Sequence, residues 1–289
     1  VNKIKIYMDF IKIEHTLFAL PFAYAGALLA AKGLIDVRLA ILVFTTFTGI
    51  RTAAMTFNRI IDREIDARNP RTASRHIPAG VISLREAYTI AALSLAVYFI
   101  SASMINTTTM ILSPIPAVTA YIYPYLKRYT CLSHYVLGLN LAYAPIGGWI
   151  AVTNSLDIFG SELIPIIIGI GVMFWVAGFD VIYALQDLEF DMREGLHSIG
   201  AHFGPNTALW ISRLNHLAFL TLTTIALKLY GAEFLPVIIL ALSSLIFYEH
   251  YLIKDRYDNE KIQIAFFHVN AAVSAMFLLS VILEALLKL

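Results

Sequence analysis

Between Arg51 and Gly80 the chain leaves an apolar run for a polar segment, and there Asn58, Asp62 and Asp66 recur at four-residue steps. On a helix this spacing stacks three oxygen-bearing side chains on one face, a turn apart, with Arg51 and Met55 on the same stripe. A second acidic stripe follows far downstream: Asp180, Tyr183, Asp187 and Asp191, the last two again four residues apart. Hard oxygen ligands of this kind suit a divalent cation, most naturally Mg²⁺ bound through substrate phosphates. Arg59, Arg63 and Arg68 are interleaved with the first stripe. A solvated, salt-bridged loop would account for one such segment. Two stripes of equal spacing, with arginine and lysine nearby to grip oxyanions, point instead to two metal clamps around a diphosphate.

The elements that position these residues are apolar helices. Of 289 residues 59% are hydrophobic and only 14% charged, and the mean hydropathy is +0.73. A soluble domain carries nearer a quarter charged residues, and apolar runs of about 20 residues mark transmembrane helices. The fold class expected is all-α, a polytopic transmembrane bundle of about nine helices around a central cavity, in one domain over residues 1–289. Hydropathy places the spans near Thr16–Ala31, Val37–Phe57, Leu84–Ile105, Thr109–Leu126, Ser133–Val152, Glu162–Leu185, Asn206–Tyr230, Glu233–Leu252 and Ile264–Leu287. The fourth contains Pro114, Pro116 and Pro124 and is expected to kink or break. An adjoining apolar bundle can house a lipid tail, so the substrate class indicated is a lipid diphosphate.

Basic residues set the orientation. With the N-terminus inside, the inner segments hold most of them, from Lys3, Lys5 and Lys12 through Lys127, Arg128 and Arg193 to Lys254, Arg256 and Lys261; the outer ones hold Lys32, Arg38, Lys228 and Lys288. The positive-inside rule then puts the N-terminus and both acidic stripes on the cytoplasmic side. Residues 1–15 read either as a short interfacial helix or as a plain lead-in, and no cleaved signal peptide is expected. The net charge of +1 points to no nucleic-acid or protein partner, and the single Cys131 allows no disulfide within the chain. The second and sixth spans each run into an acidic stripe and then a basic, glycine-containing loop, a weak internal echo that suits two helices facing each other across a cavity.

At this point the motifs match a family. Arg51 with Asn58, Asp62 and Asp66, then Arg75, Pro78 and Gly80; Tyr123, Pro124, Lys127 and Arg128; and Asp180, Tyr183, Asp187 and Asp191, then Gly195 and Ser198, together resemble the UbiA superfamily of intramembrane prenyltransferases. Where many members read Arg-Pro-Leu-Pro, this chain has Arg75-His76-Ile77-Pro78. With the opening FIKIEHTLFALPFAYAGALLA it looks like the 4-hydroxybenzoate polyprenyltransferase branch. The resemblance implies Mg²⁺-dependent transfer of an isoprenyl chain from a prenyl diphosphate to an aromatic acceptor in quinone synthesis. It further implies that Asn58, Asp62 and Asp66 hold one metal, Asp187 and Asp191 a second, and that Lys127, Arg128 and Arg51 neutralise the diphosphate. Arg75 and Tyr183 fall among the expected substrate-binding residues.

An allylic cation needs a dry, π-rich wall. Tyr121, Tyr125, Tyr143, Trp149, Phe174 and Phe179 are candidates, against ordinary helix packing. Asp180 is either an acceptor-side group that orients or deprotonates an aromatic hydroxyl, or a buried polar residue satisfied by a neighbouring helix. His216, His250 and His268 are expected to be packed or to bridge helices. A secondary transporter is the rival class, but its carboxylates belong near the bilayer midplane. Within the transferases, a porphyrin-type ring or a glycerol phosphate lipid is the alternative acceptor.

Overall fold

The computed structural model describes residues 3–253 and 259–287, and among these every regular element is helical. Lys254, Arg256 and Lys288, counted above for orientation, lie outside the described residues. The helices are α1 (Lys3–Ile11), α2 (Thr16–Ala31), α3 (Val37–Ile61), α4 (Arg63–Arg68), α5 (Leu84–Ile105), α6 (Thr107–Leu112), α7 (Pro114–Leu126) and α8 (Ser133–Thr153). They continue with α9 (Leu163–Ala184), α10 (Leu188–Glu194), α11 (Ile199–Phe203), α12 (Pro205–Tyr230), α13 (Leu235–Leu252), α14 (Asn259–Gln263), a π-helical stretch over Ile264–Val269, and α15 (Asn270–Leu287).

Seven of the described helices are long and apolar enough to cross a membrane, which makes this an integral, multi-pass membrane protein. Each of the nine segments expected from hydropathy is helical. Pro205–Tyr230 is long enough but carries Arg213, Asn215 and His216, and the fourth segment is broken. That break falls at Ser113, as the prolines require. Pro114 has no N–H for the Met110 carbonyl, and the Ser113 hydroxyl donates to it instead at 2.7 Å. Tyr98 on α5 donates to the Ser113 carbonyl at 2.8 Å and pins the break.

Local signals set the helix starts. Asp36 caps α3 by accepting from the Leu39 N–H at 2.9 Å, and Ser83 with Glu86 forms a capping box on α5. Close approach of α2 and α8 depends on absent side chains: a Cβ on Gly148 would stand 1.9 Å from the Ala23 carbonyl oxygen, and one on Gly26 would stand 2.1 Å from that of Pro145. The core lies where α2, α9, α12 and α15 meet. There Phe22 stacks on Phe277 with centroids 4.8 Å apart, and the buried Trp175 donates to Asn270 at 2.8 Å. His216 bridges α12 to His250 on α13 at 2.8 Å, as expected. His268 instead is exposed, with its ring against Phe267.

Helix α1 is anchored by Phe10, wholly buried against Ile60, Ile82 and Ala87, while Ile4 is exposed. The Ile11 carbonyl at its end accepts a hydrogen bond from Arg51 at 2.6 Å.

Candidate active site

The two acidic stripes come together, but neither is one continuous helix. Helix α3 ends at Ile61, Asp62 takes φ −89° and ψ 1°, and α4 restarts at Arg63. Helix α9 ends at Ala184, a 3-10 turn follows, Asp187 takes φ −103° and ψ 9°, and α10 restarts at Leu188. The expected uniform stripes are therefore bent at equivalent acids, each in the sparsely used region between helix and extended chain. The bends sharpen the internal echo seen in the sequence.

The bent ends enclose a polar pocket of about 220 Å³. Asn58, Asp62, Asp66, Arg75, Lys127, Asp180, Tyr183, Asp187 and Asp191 all line it. Asp62 is 1% exposed; Lys127 donates to its Oδ2 at 2.5 Å, and Arg128 lies 3.1 Å from its Oδ1. Burial pushes the Asp62 carboxyl above its ordinary value, with Lys127 and Arg128 pulling against it. Asn58 donates to Asp62 at 3.2 Å and to the Tyr123 hydroxyl at 3.0 Å. Arg75 donates to both Asp66 oxygens, at 2.7 and 2.9 Å.

Two expected residues stand elsewhere. Arg51 faces a larger chamber rather than this pocket. Arg128 lies behind the pocket, its guanidinium donating to the Pro124 and Ile61 carbonyls at 2.9 and 3.0 Å, and so ties α7 to the end of α3. Among the described residues no group of three or more His, Cys, Asp or Glu side chains is set to hold a metal ion. The carboxylates of Asp62, Asp66 and Asp187 are each paired with a basic side chain instead.

Sequence reasoning missed three residues here. Arg71 grips Asp187 through Nε at 2.7 Å and through Nη2, and donates to the Tyr183 hydroxyl at 3.1 Å. Burial works against its charge, but these hydrogen bonds hold its pKa above the ordinary arginine value. Asn69 donates to Asp187 at 2.8 Å. Both lie in the turns after α4, and the signal was available: Arg71 precedes Arg75 by four residues. The third is His134 at the start of α8. Its Nε2 accepts from the Ile199 N–H at 3.3 Å, which leaves the proton on Nδ1 to bridge to Asp180 at 2.7 Å. Asp180 is thus satisfied by a neighbouring helix, and it also lines the pocket.

Below the polar pocket the cavity continues. A chamber of about 550 Å³ shares Asn58, Arg71, Arg75, Tyr123, Asp180 and Tyr183 with it. This in turn shares Phe47, Ile50, Pro116 and Asn140 with an apolar pocket of about 300 Å³. Phe179 and Tyr143 line these spaces, as expected of wall residues. Tyr121 and Tyr125 do not: four residues apart on α7, they turn outward and are 48% and 37% exposed, and Tyr123 between them faces in. Trp149 is buried in the core, and Phe174 packs edge-on to Tyr135.

A many-helix membrane protein with a carboxylate and cation pocket above an apolar cavity is built to hold an amphiphile by its charged head. The chain belongs to the UbiA prenyltransferase family, whose model matches residues 19–272, and it is accordingly a prenyltransferase. It is 33% identical over 232 residues to a 4-hydroxybenzoate octaprenyltransferase of Aliivibrio fischeri strain MJ11, covering 79% of this chain and 78% of that one. The apo structure of a UbiA homologue from Aeropyrum pernix K1 superposes with a TM-score of 0.84 at 36% identity, covering 94% of this chain and 98% of that one. A UbiA homologue from Archaeoglobus fulgidus, bound to GPP and Mg²⁺, shares the fold with a TM-score of 0.73 at 20% identity, over 97% and 99% of the two chains.

Proposed function

We propose that this chain transfers an isoprenyl group from a prenyl diphosphate to an aromatic acceptor, of the hydroxybenzoate or dihydroxynaphthoate kind, in quinone biosynthesis, with Mg²⁺ and with its site open to the cytoplasmic face. The observation that carries this reading is the continuity of the three spaces. A polar pocket walled by both acidic stripes leads into a mixed chamber and then into an apolar one. A diphosphate fits the first, the reacting carbon and acceptor the second, and a hydrocarbon chain the third.

The donor set fits a hard cation. It offers carboxylates and one amide oxygen, and the buried Asp62 Oδ1 accepts no aligned hydrogen bond, its neighbour Arg128 lying 3.1 Å away as an ion pair. Asn58, Asp62 and Asp66 would hold one ion with the diphosphate, and Asp187 and Asp191 a second. Bound there, Mg²⁺ supplies neutralisation of the charge that gathers on the departing diphosphate.

The protein's own groups do the rest. Lys127, Arg71 and Arg75 line the pocket and offer N–H donors to the diphosphate oxygens, sharing their charge between substrate and carboxylates. Tyr123, Tyr183, Phe179 and Phe266 line the chamber beneath and present π faces to a developing allylic cation while excluding water. Asp180, oriented by His134, accepts the hydroxyl proton of the acceptor as its ring attacks.

Mass spectrometry of products tests the reading. Purified protein in proteoliposomes is given one prenyl diphosphate and, in turn, 4-hydroxybenzoate, 1,4-dihydroxy-2-naphthoate, a porphyrin and a glycerol phosphate lipid. A prenylated aromatic acid is expected. Adducts with only the porphyrin or the lipid would overturn the aromatic assignment.

A further inference from the structure

A buried polar cluster ties the last helices of the bundle to α9. Glu249 on α13, Asn270 at the start of α15 and Trp175 on α9 are each 0% exposed, and none lines any of the three spaces above. The Asn270 amide is fully used. Its oxygen accepts from the Trp175 indole at 2.8 Å. Its nitrogen donates to Glu249 Oε1 at 3.3 Å and to the Ala265 and Phe266 carbonyls at 3.0 and 3.1 Å.

Both carbonyls belong to the π-helical stretch Ile264–Val269. A turn widened by one residue takes carbonyls out of the α-helical ladder, and inside a bilayer they need another donor. Asn270 supplies it, and Trp175 and Glu249 hold its amide in that orientation. One extra residue rotates the segment before it by about 100° relative to the helix that follows. Phe266 lies within the turned segment. Its ring reaches the mixed chamber, 4.2 Å from the Tyr183 ring between centroids, and stands edge-on to Phe18 and Phe179 at 5.4 Å. The Tyr183 hydroxyl in turn accepts from Arg71 in the polar pocket. A regular α-turn here would satisfy its own carbonyls and swing the Phe266 ring away from Tyr183.

We propose that Asn270 is a positioning residue for prenyl transfer: through the widened turn it sets Phe266 on Tyr183, and that pair decides whether the allylic cation is captured by the acceptor or by water. The proposal rests on the prenyl-transfer reading above and adds to it a residue outside the substrate spaces. Capture by an aromatic acceptor forms a C–C bond, and the acceptor's hydroxyl proton passes to Asp180. Capture by water forms a C–O bond, releases a proton to solvent and yields the prenyl alcohol. Moving the Phe266 ring off Tyr183 removes a π face and admits water where the cation forms.

The test counts products rather than rate. Wild type, Asn270→Leu, Phe266→Leu and the double variant, in proteoliposomes with Mg²⁺, are given a prenyl diphosphate with 4-hydroxybenzoate or 1,4-dihydroxy-2-naphthoate. Mass spectrometry then gives the ratio of prenyl alcohol to prenylated acceptor. Each single variant should raise that ratio by about fivefold or more. The double variant should match Phe266→Leu within twofold, because both changes act through one ring. An unchanged ratio in Asn270→Leu, even with a lowered Tm, overturns the proposal, since Asn270 then only holds helices together. So does a double variant whose effect is the product of the two single ones. Adducts with only a porphyrin or a glycerol phosphate lipid would sink the aromatic reading, and the same ratio taken with that acceptor still decides this one; no adduct with any acceptor overturns both. If Asn270→Leu does not fold, Asn270→Ser decides. Its hydroxyl can donate to one carbonyl only, so the ratio should rise by a smaller factor, and an unchanged ratio overturns the proposal.

Discussion

Lys127 is the cation whose loss has the most calculable effect. Its ammonium lies 2.5 Å from the buried Asp62, and Arg128 lies 3.1 Å from the same carboxylate. Lys127→Ala therefore leaves Asp62 with one cation beside it, and the fold survives. What the substrate loses is one charge-assisted hydrogen bond, worth ~1.5–3 kcal/mol. The Lys127 side chain is 31% exposed, so solvent screens part of that interaction. A loss of about 2 kcal/mol corresponds to roughly thirtyfold in affinity or rate. Steady-state kinetics in proteoliposomes, with prenyl diphosphate and acceptor varied independently, should show it in the prenyl diphosphate KM or in kcat. Acceptor KM should hardly move. A change below threefold, or one confined to acceptor KM, would refute the placement of the diphosphate beside Lys127.

Other expectations follow from the same geometry. A prenyl diphosphate fluorinated on its allylic segment should bind with similar affinity and react orders of magnitude more slowly, each ~1.4 kcal/mol of barrier being tenfold in rate; turnover within a fewfold of normal would sink ionisation before attack. Asp180→Asn should slow capture of the acceptor yet allow slow Mg²⁺-dependent hydrolysis of the prenyl diphosphate, and His134→Ala should reproduce the slowed capture in milder form. Hydrolysis and capture that fall together in Asp180→Asn would place Asp180 with the leaving group. Gly148→Ala should lower the unfolding temperature in detergent, because its Cβ meets the Ala23 carbonyl at 1.9 Å and overpacking costs ~1–3 kcal/mol; an unchanged Tm would mean that the helices separate freely there.

Most of the helical framework was legible because hydropathy is a property of long windows. Two segments agree to the residue, Thr16–Ala31 and Leu84–Ile105, where Lys32 and the Ser83 capping box end or start the helix. The break in the fourth segment was legible for a local reason, the prolines after Ser113. The bends at Asp62 and Asp187 were not, since no proline or glycine marks them; the paired positions show in the backbone angles alone. The motif acids were readable from spacing, but their partners were not. Arg71 reaches Asp187 across 116 residues and His134 reaches Asp180 across 46, and periodicity reports only neighbours on one helix. Tyr121 and Tyr125 show the converse error: aromatic content suggested a wall, whereas their position on α7 relative to Tyr123 turns them away from it.

The central claim is that prenyl transfer occurs between the two acidic stripes, with both required. The most direct measurement is the rate of prenyl-adduct formation, at saturating Mg²⁺, by Asp62→Ala, Asp66→Ala, Asp187→Ala and Asp191→Ala beside wild type, each confirmed folded in the membrane. The account predicts that all four lose turnover. Near wild-type rates in any two of them would contradict it.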